Sequence, residues 1–370
     1  TAQGNQDGNS IGDFYYEPPT DFLALCTSNL SAPEIKLPGE NFNTVLYTGD
    51  GATTLAVTGA GFAPDLTWIK NRSATDKHVL VDSVRGANQY FTPNTTAASA
   101  DDSTFVASLD SDGFTVGNDV AVNTNTENYA SWNWLAADTF DPKTDGDIAV
   151  ASGRRNAAAG FSIVRYTGED AAKTIGHGLS TAPKFIIVKN LGVLQWPVFY
   201  LRTGDADGVV FLDQDGEGEA AGTSYWNDTI PTASVFTVGN SGNTGGLTSP
   251  DYLAYCFADV EGYSKVGLYE GNNNADGTFV YTGFRPAFLL LKNVETDVRD
   301  WMLEDDKRLG YNVDNNDLIP NQNYVEATDD RLDIVSNGFK LRGTQGTSNA
   351  ANTYLYYAVA KSPFKYANAR

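Results

Sequence analysis

The chain is 370 residues long, 41% hydrophobic and 19% charged, which is enough apolar material for packed cores and excludes a disordered chain. Its 25 Lys and Arg stand against 46 Asp and Glu, a net charge of −21. A polyanion is repelled by that balance, so nucleic acid is excluded as an electrostatic partner, and so is a basic face lying on anionic lipid.

Residues 1–41 hold a polar start and a compact aromatic-proline segment, Phe14-Tyr15-Tyr16-Glu17-Pro18-Pro19. A strand is predicted at Phe22-Leu-Ala-Leu-Cys26. The stretch reads as the end of an upstream domain plus a lead-in. With Thr1 at the start and Met302 as the single methionine, a processed or trimmed piece of a longer protein is expected. No run of 18 apolar residues occurs, so membrane insertion is not expected.

From residue 42 onward the chain repeats itself. Tyr47-Thr-Gly49, Tyr166-Thr-Gly168 and Tyr269-Glu-Gly271 form the first landmark. Trp68-Ile-Lys-Asn71, Ile187-Val-Lys-Asn190 and Leu290-Leu-Lys-Asn293 form the second, each preceded by Pro64, Pro183 or Pro286. Phe114, Phe236 and Phe339 mark the third, and strands opening at Tyr129, Tyr252 and Tyr354 the fourth. Tyr47 to Tyr166 and Lys70 to Lys189 are both 119 residues, and the next intervals are both 103. Within each copy, short aromatic and β-branched runs alternate with Gly, Asn, Asp and Ser clusters. That pattern predicts an all-β protein of three tandem antiparallel β-sandwich (jelly-roll-like) repeats. The expected domains are 42–138, 161–264 and 265–370, with 139–160, small and polar, as a linker. Asp112-Gly113 and Asn337-Gly338 suit tight hairpin turns.

Candidate chemistry is sparse. Gly8-Asn-Ser10-Ile-Gly12 matches a nucleophile-elbow string but lacks the strand before and helix after it, so it reads as chance. His177 reads as a turn or surface residue and His78 as a strand entry. Cys26 and Cys256 read as buried strand thiols, with a long-range disulfide left open. Asp205, Asp207, Asp213, Asp215 and Glu217 alternate with small residues and could wrap calcium, though the spacing is not an EF-hand; an exposed polar loop is the heavier reading. Trp196, Trp226 and Trp301 fall outside the landmarks. With Tyr225 and Asn227 they are the candidate glycan-binding residues, against a core reading of the same rings that weighs more. No catalytic set is assigned.

The sequence resembles tail-fibre-like or appendage proteins of marine bacteriophages, in a C-terminal repeat region described only as a domain of unknown function. The resemblance rests on phrases such as Phe42-Asn-Thr-Val-Leu-Tyr-Thr-Gly49, Pro64-Asp-Leu-Thr-Trp-Ile-Lys-Asn-Arg72 and Tyr255-Cys-Phe-Ala-Asp-Val-Glu-Gly-Tyr-Ser264. It covers about residues 12 to 370. It implies a non-enzymatic structural protein of the virion, located on the extracellular particle. The expected role is a fibre or appendage contacting the host surface, as a homo-oligomer among other virion proteins, with a host surface glycan as a candidate partner. Two alternatives stand beside it: a decoration protein of capsid or tail without ligand, and a glycan-depolymerising tailspike.

Overall fold

Strand formation follows the alternation of large side chains along short runs. In Leu66–Asn71, Leu66 and Trp68 enter one apolar cluster and Ile69 another, so the strand is covered on both faces. The computed structural model describes residues 2–140, 145–148, 150–202, 207–248, 250–308, 312 and 316–367. Over these the chain is an all-β assembly of antiparallel sheets packed as sandwiches. No helix among the described residues is long and apolar enough to cross a membrane.

The first group of strands is β1 (Phe42–Thr48), β2 (Leu55–Thr58), β3 (Leu66–Asn71), β4 (Val79–Asp82), β5 (Gln89–Phe91), β6 (Ala100–Asp101), β7 (Val106–Asp110), β8 (Gly113–Val116) and β9 (Asn128–Trp134). Then come β10 (Asp138–Phe140), β11 (Val150–Asn156), β12 (Phe161–Thr167), β13 (Lys173–Gly176), β14 (Pro183–Asn190), β15 (Pro197–Tyr200), β16 (Gly208–Phe211), β17 (Glu219–Ala220), β18 (Val235–Val238) and β19 (Asp251–Ala258). The last are β20 (Ser264–Glu270), β21 (Asp276–Tyr281), β22 (Phe284–Asn293), β23 (Met302–Asp305), β24 (Asn316–Asp317), β25 (Ala327–Thr328), β26 (Leu332–Val335), β27 (Gly338–Arg342) and β28 (Thr353–Pro363).

One pairing scheme recurs through these groups. β9 lies between β1 and β3, β19 between β12 and β14, and β28 between β20 and β22. Small sheets β2-β8-β7, β13-β18 and β21-β27-β26 close the sandwiches. The landmark tyrosines explain the register. Tyr47 stacks on Tyr129 at 4.9 Å, Tyr166 on Tyr252 at 5.3 Å and Tyr269 on Tyr354 at 5.0 Å, each with rings 12° apart. Each first tyrosine also meets Phe114, Phe236 or Phe339 edge to face. The hairpin glycine matters at Gly113, whose φ is +141°: a Cβ there would lie 2.1 Å from the Val57 carbonyl oxygen.

The expectation of separate sandwiches strung on a linker needs correction. The outward-packed clusters of the first and second groups are distinct, but a third cluster draws on all three groups, including Trp68, Trp134, Phe185, Phe257, Phe288 and Tyr357. The main chain closes a head-to-tail ring. Arg72 O accepts from Glu326 N at 3.1 Å, Leu191 O from Ser99 N at 2.9 Å and Val294 O from Gly218 N at 3.1 Å. The third group thus holds the first, the first the second and the second the third.

The linker reading of 139–160 also fails in part, because β10 and β11 add two strands to the second sheet beyond β12. Their composition is polar because they form an outer edge, where Arg154 reaches Asp65 of the first group at 2.9 Å. The predicted strand at Phe22–Cys26 is absent: Phe22 and Leu25 are exposed, and no strand pairs with them.

Candidate functional site

The three junctions are where the polar and aromatic chemistry of the chain is concentrated. The residue before the fourth large-sheet strand of each group is His78, Trp196 or Trp301, and all three are fully buried. Their backbone N–H groups donate to Asn94 Oδ1, Asp213 Oδ1 and Asn321 Oδ1 at 3.0–3.1 Å. Their rings then cross to the neighbouring group: His78 Nε2 to Ile319 O at 3.1 Å, Trp196 Nε1 to Thr95 O at 3.0 Å and Trp301 Nε1 to Phe211 O at 2.9 Å. A Trp68 Nε1–H donated to His78 Nδ1 at 2.9 Å leaves Nε2 as the protonated nitrogen. Burial, with Lys70 and Arg308 nearby, holds the His78 pKa well below the usual imidazole range.

A second crossing comes from the strands at the centre of each sheet. Tyr255 Oη donates to Asp82 Oδ2 at 2.9 Å and Trp132 Nε1 to Asp305 Oδ2 at 3.0 Å. Both acceptors are carboxylates sealed from solvent beside an arginine three residues on, Arg85 at 2.6 Å and Arg308 at 2.7 Å. The same carboxylates cap the following turn through backbone N–H groups.

The Lys-Asn landmark has its explanation here. Asn71, Asn190 and Asn293 turn the chain by accepting backbone N–H bonds two residues on. The turned loop presents carbonyls to the preceding lysine. Lys70 Nζ donates to Asn71 O and Ala74 O, Lys189 Nζ to Gly192 O, Leu194 O and Thr96 O across a junction, and Lys292 Nζ to Arg299 O. Burial lowers each ammonium to about 8, opposed by nearby carboxylates.

The candidate glycan residues are not gathered on a surface. Trp196, Trp226 and Trp301 are fully buried, and Trp226 donates Nε1–H to Gly208 O. None offers a face to a sugar ring, and Tyr225 and Asn227 remain as a half-buried pair beside Trp226. Nor do the calcium candidates converge. Asp205 lies outside the described residues. Asp207 is buried, and Asp213, its pKa raised by burial, accepts the Trp196 N–H. Asp215 meets Arg299 through its main chain, and Glu217 N donates to Asp297. Among the described residues no three His, Cys, Asp or Glu side chains are placed to hold a metal.

His177, expected at a turn or the surface, is buried in the loop after β13. Its Nδ1 accepts from Leu179 N, and its Nε2 lies 3.1 Å from Thr232 O. His78 is likewise enclosed. Cys256 is buried, its thiol pushed up to about 12, whereas Cys26 is half-exposed outside any strand; both are free.

Ser10 sits at φ +63° in a small N-terminal knot. Asp7 ties that knot by accepting from Asn9 N, Ile11 N, Ala24 N and Asn29 Nδ2 at 2.7–3.0 Å. Burial opposes these bonds, but they win and bring Asp7 down to about 2. The knot presents Tyr15, Tyr16 and Phe22 to solvent.

A cleft of about 400 Å³ lies between the lead-in and the third group, lined by Leu30, Asp259, Glu261, Lys265, Tyr281 and Lys365 among others. Both oxygens of Asp259 are engaged, by Val266 N at 2.8 Å and Lys184 Nζ at 2.6 Å. Glu261 accepts from Ser31 Oγ.

The sequence missed the junctions. The signal was present: His78, Trp196 and Trp301 follow the landmark lysines by eight, seven and nine residues.

A family model described as a domain of unknown function (DUF7483) matches residues 37–363, a span that takes in all three strand groups. No curated protein matches the chain.

Proposed function

The chain belongs to that family of unknown function, and from this premise we propose that it is a non-enzymatic structural protein of a phage virion. In this reading it is a fibre or appendage built from three copies of one module, with its outer loops contacting the host surface. One observation carries the reading. The side chains most suited to chemistry, two histidines and three lysines of lowered basicity, are buried and bonded mainly to main-chain groups, so they fix loops within each group and, for His78 and Lys189, a junction between groups. Function then falls to the outer loops of a rigid body.

Mass spectrometry of purified particles, with antibody labelling of their appendages, tests this. The chain is expected in the particle at a fixed ratio to other virion proteins. Its absence from particles, or shortening of a host polysaccharide by the purified chain, overturns the reading.

A further inference from the structure

The three groups differ at the outer edge of the first large-sheet strand. Antiparallel pairing alternates inward and outward main-chain groups. Gly49 N bonds Glu127 O and Leu135 N bonds Asn41 O, so the odd-numbered residues of β1 face β9 and Phe42, Thr44, Leu46 and Thr48 face outward. The corresponding outward residues of β12 are Phe161, Ile163, Arg165 and Thr167, and there β11 lies antiparallel along the edge. In β20 the first two, Ser264 and Val266, donate to Val260 O and Asp259 Oδ1. Along β1, among the described residues, no hydrogen bond reaches the outward main chain of Thr44, Leu46 or Thr48.

The covered edges also show what covers them. The segment on β12 sends Arg154 to Asp65, at the start of β3 in the neighbouring group. The segment on β20 sends Asp259 to Lys184, the residue aligned with Asp65 in β14. The aligned residue facing β1 is Ala287, and beside it is a pocket of about 190 Å³ lined also by Phe42, Thr44, Asp306 and Lys361. Two buried polar atoms in that lining have no partner, Thr44 Oγ1 and Asp306 Oδ1. The Asp306 side chain is only 7% exposed, and Lys361 Nζ, 3.2 Å away, engages its other oxygen. A buried carboxylate oxygen without a donor is costly to leave so.

We propose that the β1 edge is a docking site for an extended, basic segment of another polypeptide, which pairs antiparallel with Thr44–Thr48 and places a Lys or Arg head group in the pocket against Asp306 Oδ1. Strand addition supplies the main-chain bonds and the cation supplies selectivity. The occupant is basic because the vacancy is a carboxylate on a chain of net charge −21.

The probe is a synthetic peptide with the sequence of β11, Val-Ala-Ser-Gly-Arg-Arg-Asn, added to the full chain while amide exchange is followed residue by residue. Saturable binding that slows exchange at Leu46 and Thr48 is expected. Asp306→Asn, or replacement of both peptide arginines by alanine, should weaken binding at least about tenfold. Leu46→Pro removes an outward N–H and should abolish binding. If that variant misfolds, Asp306→Asn still decides. Three results would overturn the proposal: no protection of Leu46 and Thr48, protection at Ile163 and Arg165 instead, or equal binding by Asp306→Asn. None depends on whether the chain is found in a virion.

Discussion

The junction between the first and third groups is closed by charge, and the one between the third and second by aromatic packing. At the first, Trp132 and Arg308 converge on Asp305, Arg72 and Arg308 share Glu326, and His78 caps the Ile319 carbonyl. At the second, Trp301 bonds Phe211 O and packs edge to face on Phe185, which stacks on Tyr357. The position held by Asp82 and Asp305 at the ends of β4 and β23 is Tyr200 at the end of β15. The geometry of ring closure is therefore fixed by backbone register, and the chemistry filling it is free to vary. Sealed ions must be complete to be tolerated, whereas an apolar contact degrades gradually.

The sharpest way to break that contrast is Asp305→Ala. It takes from the buried Arg308 guanidinium its nearest carboxylate, leaving Glu326 at 3.1 Å, and removes the Trp132 acceptor and the turn cap, so a loss of about 3–5 kcal/mol in denaturant unfolding is expected. Replacing both ions, Asp305→Leu with Arg308→Met, should recover most of it. If the single and double variants are equally unstable, charge completeness is not what distinguishes this junction.

Trp301→Phe at the aromatic junction keeps most of the ring and loses one N–H, leaving Phe211 O without its donor. The expected cost is about 1–3 kcal/mol by the same measurement. A cost equal to that of Asp305→Ala would erase the contrast.

The strand alternation, the tyrosine register and the Lys-Asn turns were legible because each is local: a period of two, a stacking pair on adjacent strands, a side chain bonding its own loop. Trp196 and Trp301 read as variable because the loops around them differ in length and composition between groups. What fixes them is a carbonyl about 90 to 100 residues away, and no local pattern announces a contact of that kind. The polar composition of 139–160 misled for a related reason, since an edge strand facing charged neighbours carries none of the apolar alternation by which strands are recognised.

The lysines are common to all three groups and give a response that should survive damage to any one junction. Each is about 8 when folded and near 10.4 when unfolded. Between those values each of these lysines binds more protons in the unfolded chain, so its own contribution to stability rises with pH from about 8 to about 10.4, while the buried tyrosines and Cys256, held protonated in the fold, pull the other way. Chemical denaturation across that range checks it. Relative to wild type, Lys189→Met should make the slope of stability against pH less positive over this range, and identical slopes for the two proteins would contradict the buried-ammonium account.

The smallest expected effect converts one junction toward the other. His78 is buried without charge, and its pKa lies well below 6.5 in the folded chain. Unfolding lets it take up a proton near pH 6.5. Stability therefore falls as pH drops through that value, by at most about 1.4 kcal/mol for each pH unit until the folded group also protonates. His78→Trp supplies the ring used at the other two junctions and removes the titrating group. The variant should lose this part of the acid limb while the remainder, set by carboxylates such as Asp305, stays in place. Because indole is larger than imidazole and Trp68 would lose its acceptor, a modest loss at pH 8 is expected, with a flatter slope between pH 6.5 and pH 5 as the diagnostic. An unchanged slope would mean that the His78 side of this junction does not sense acid, and that its difference from the aromatic junction lies in the Asp305 network alone.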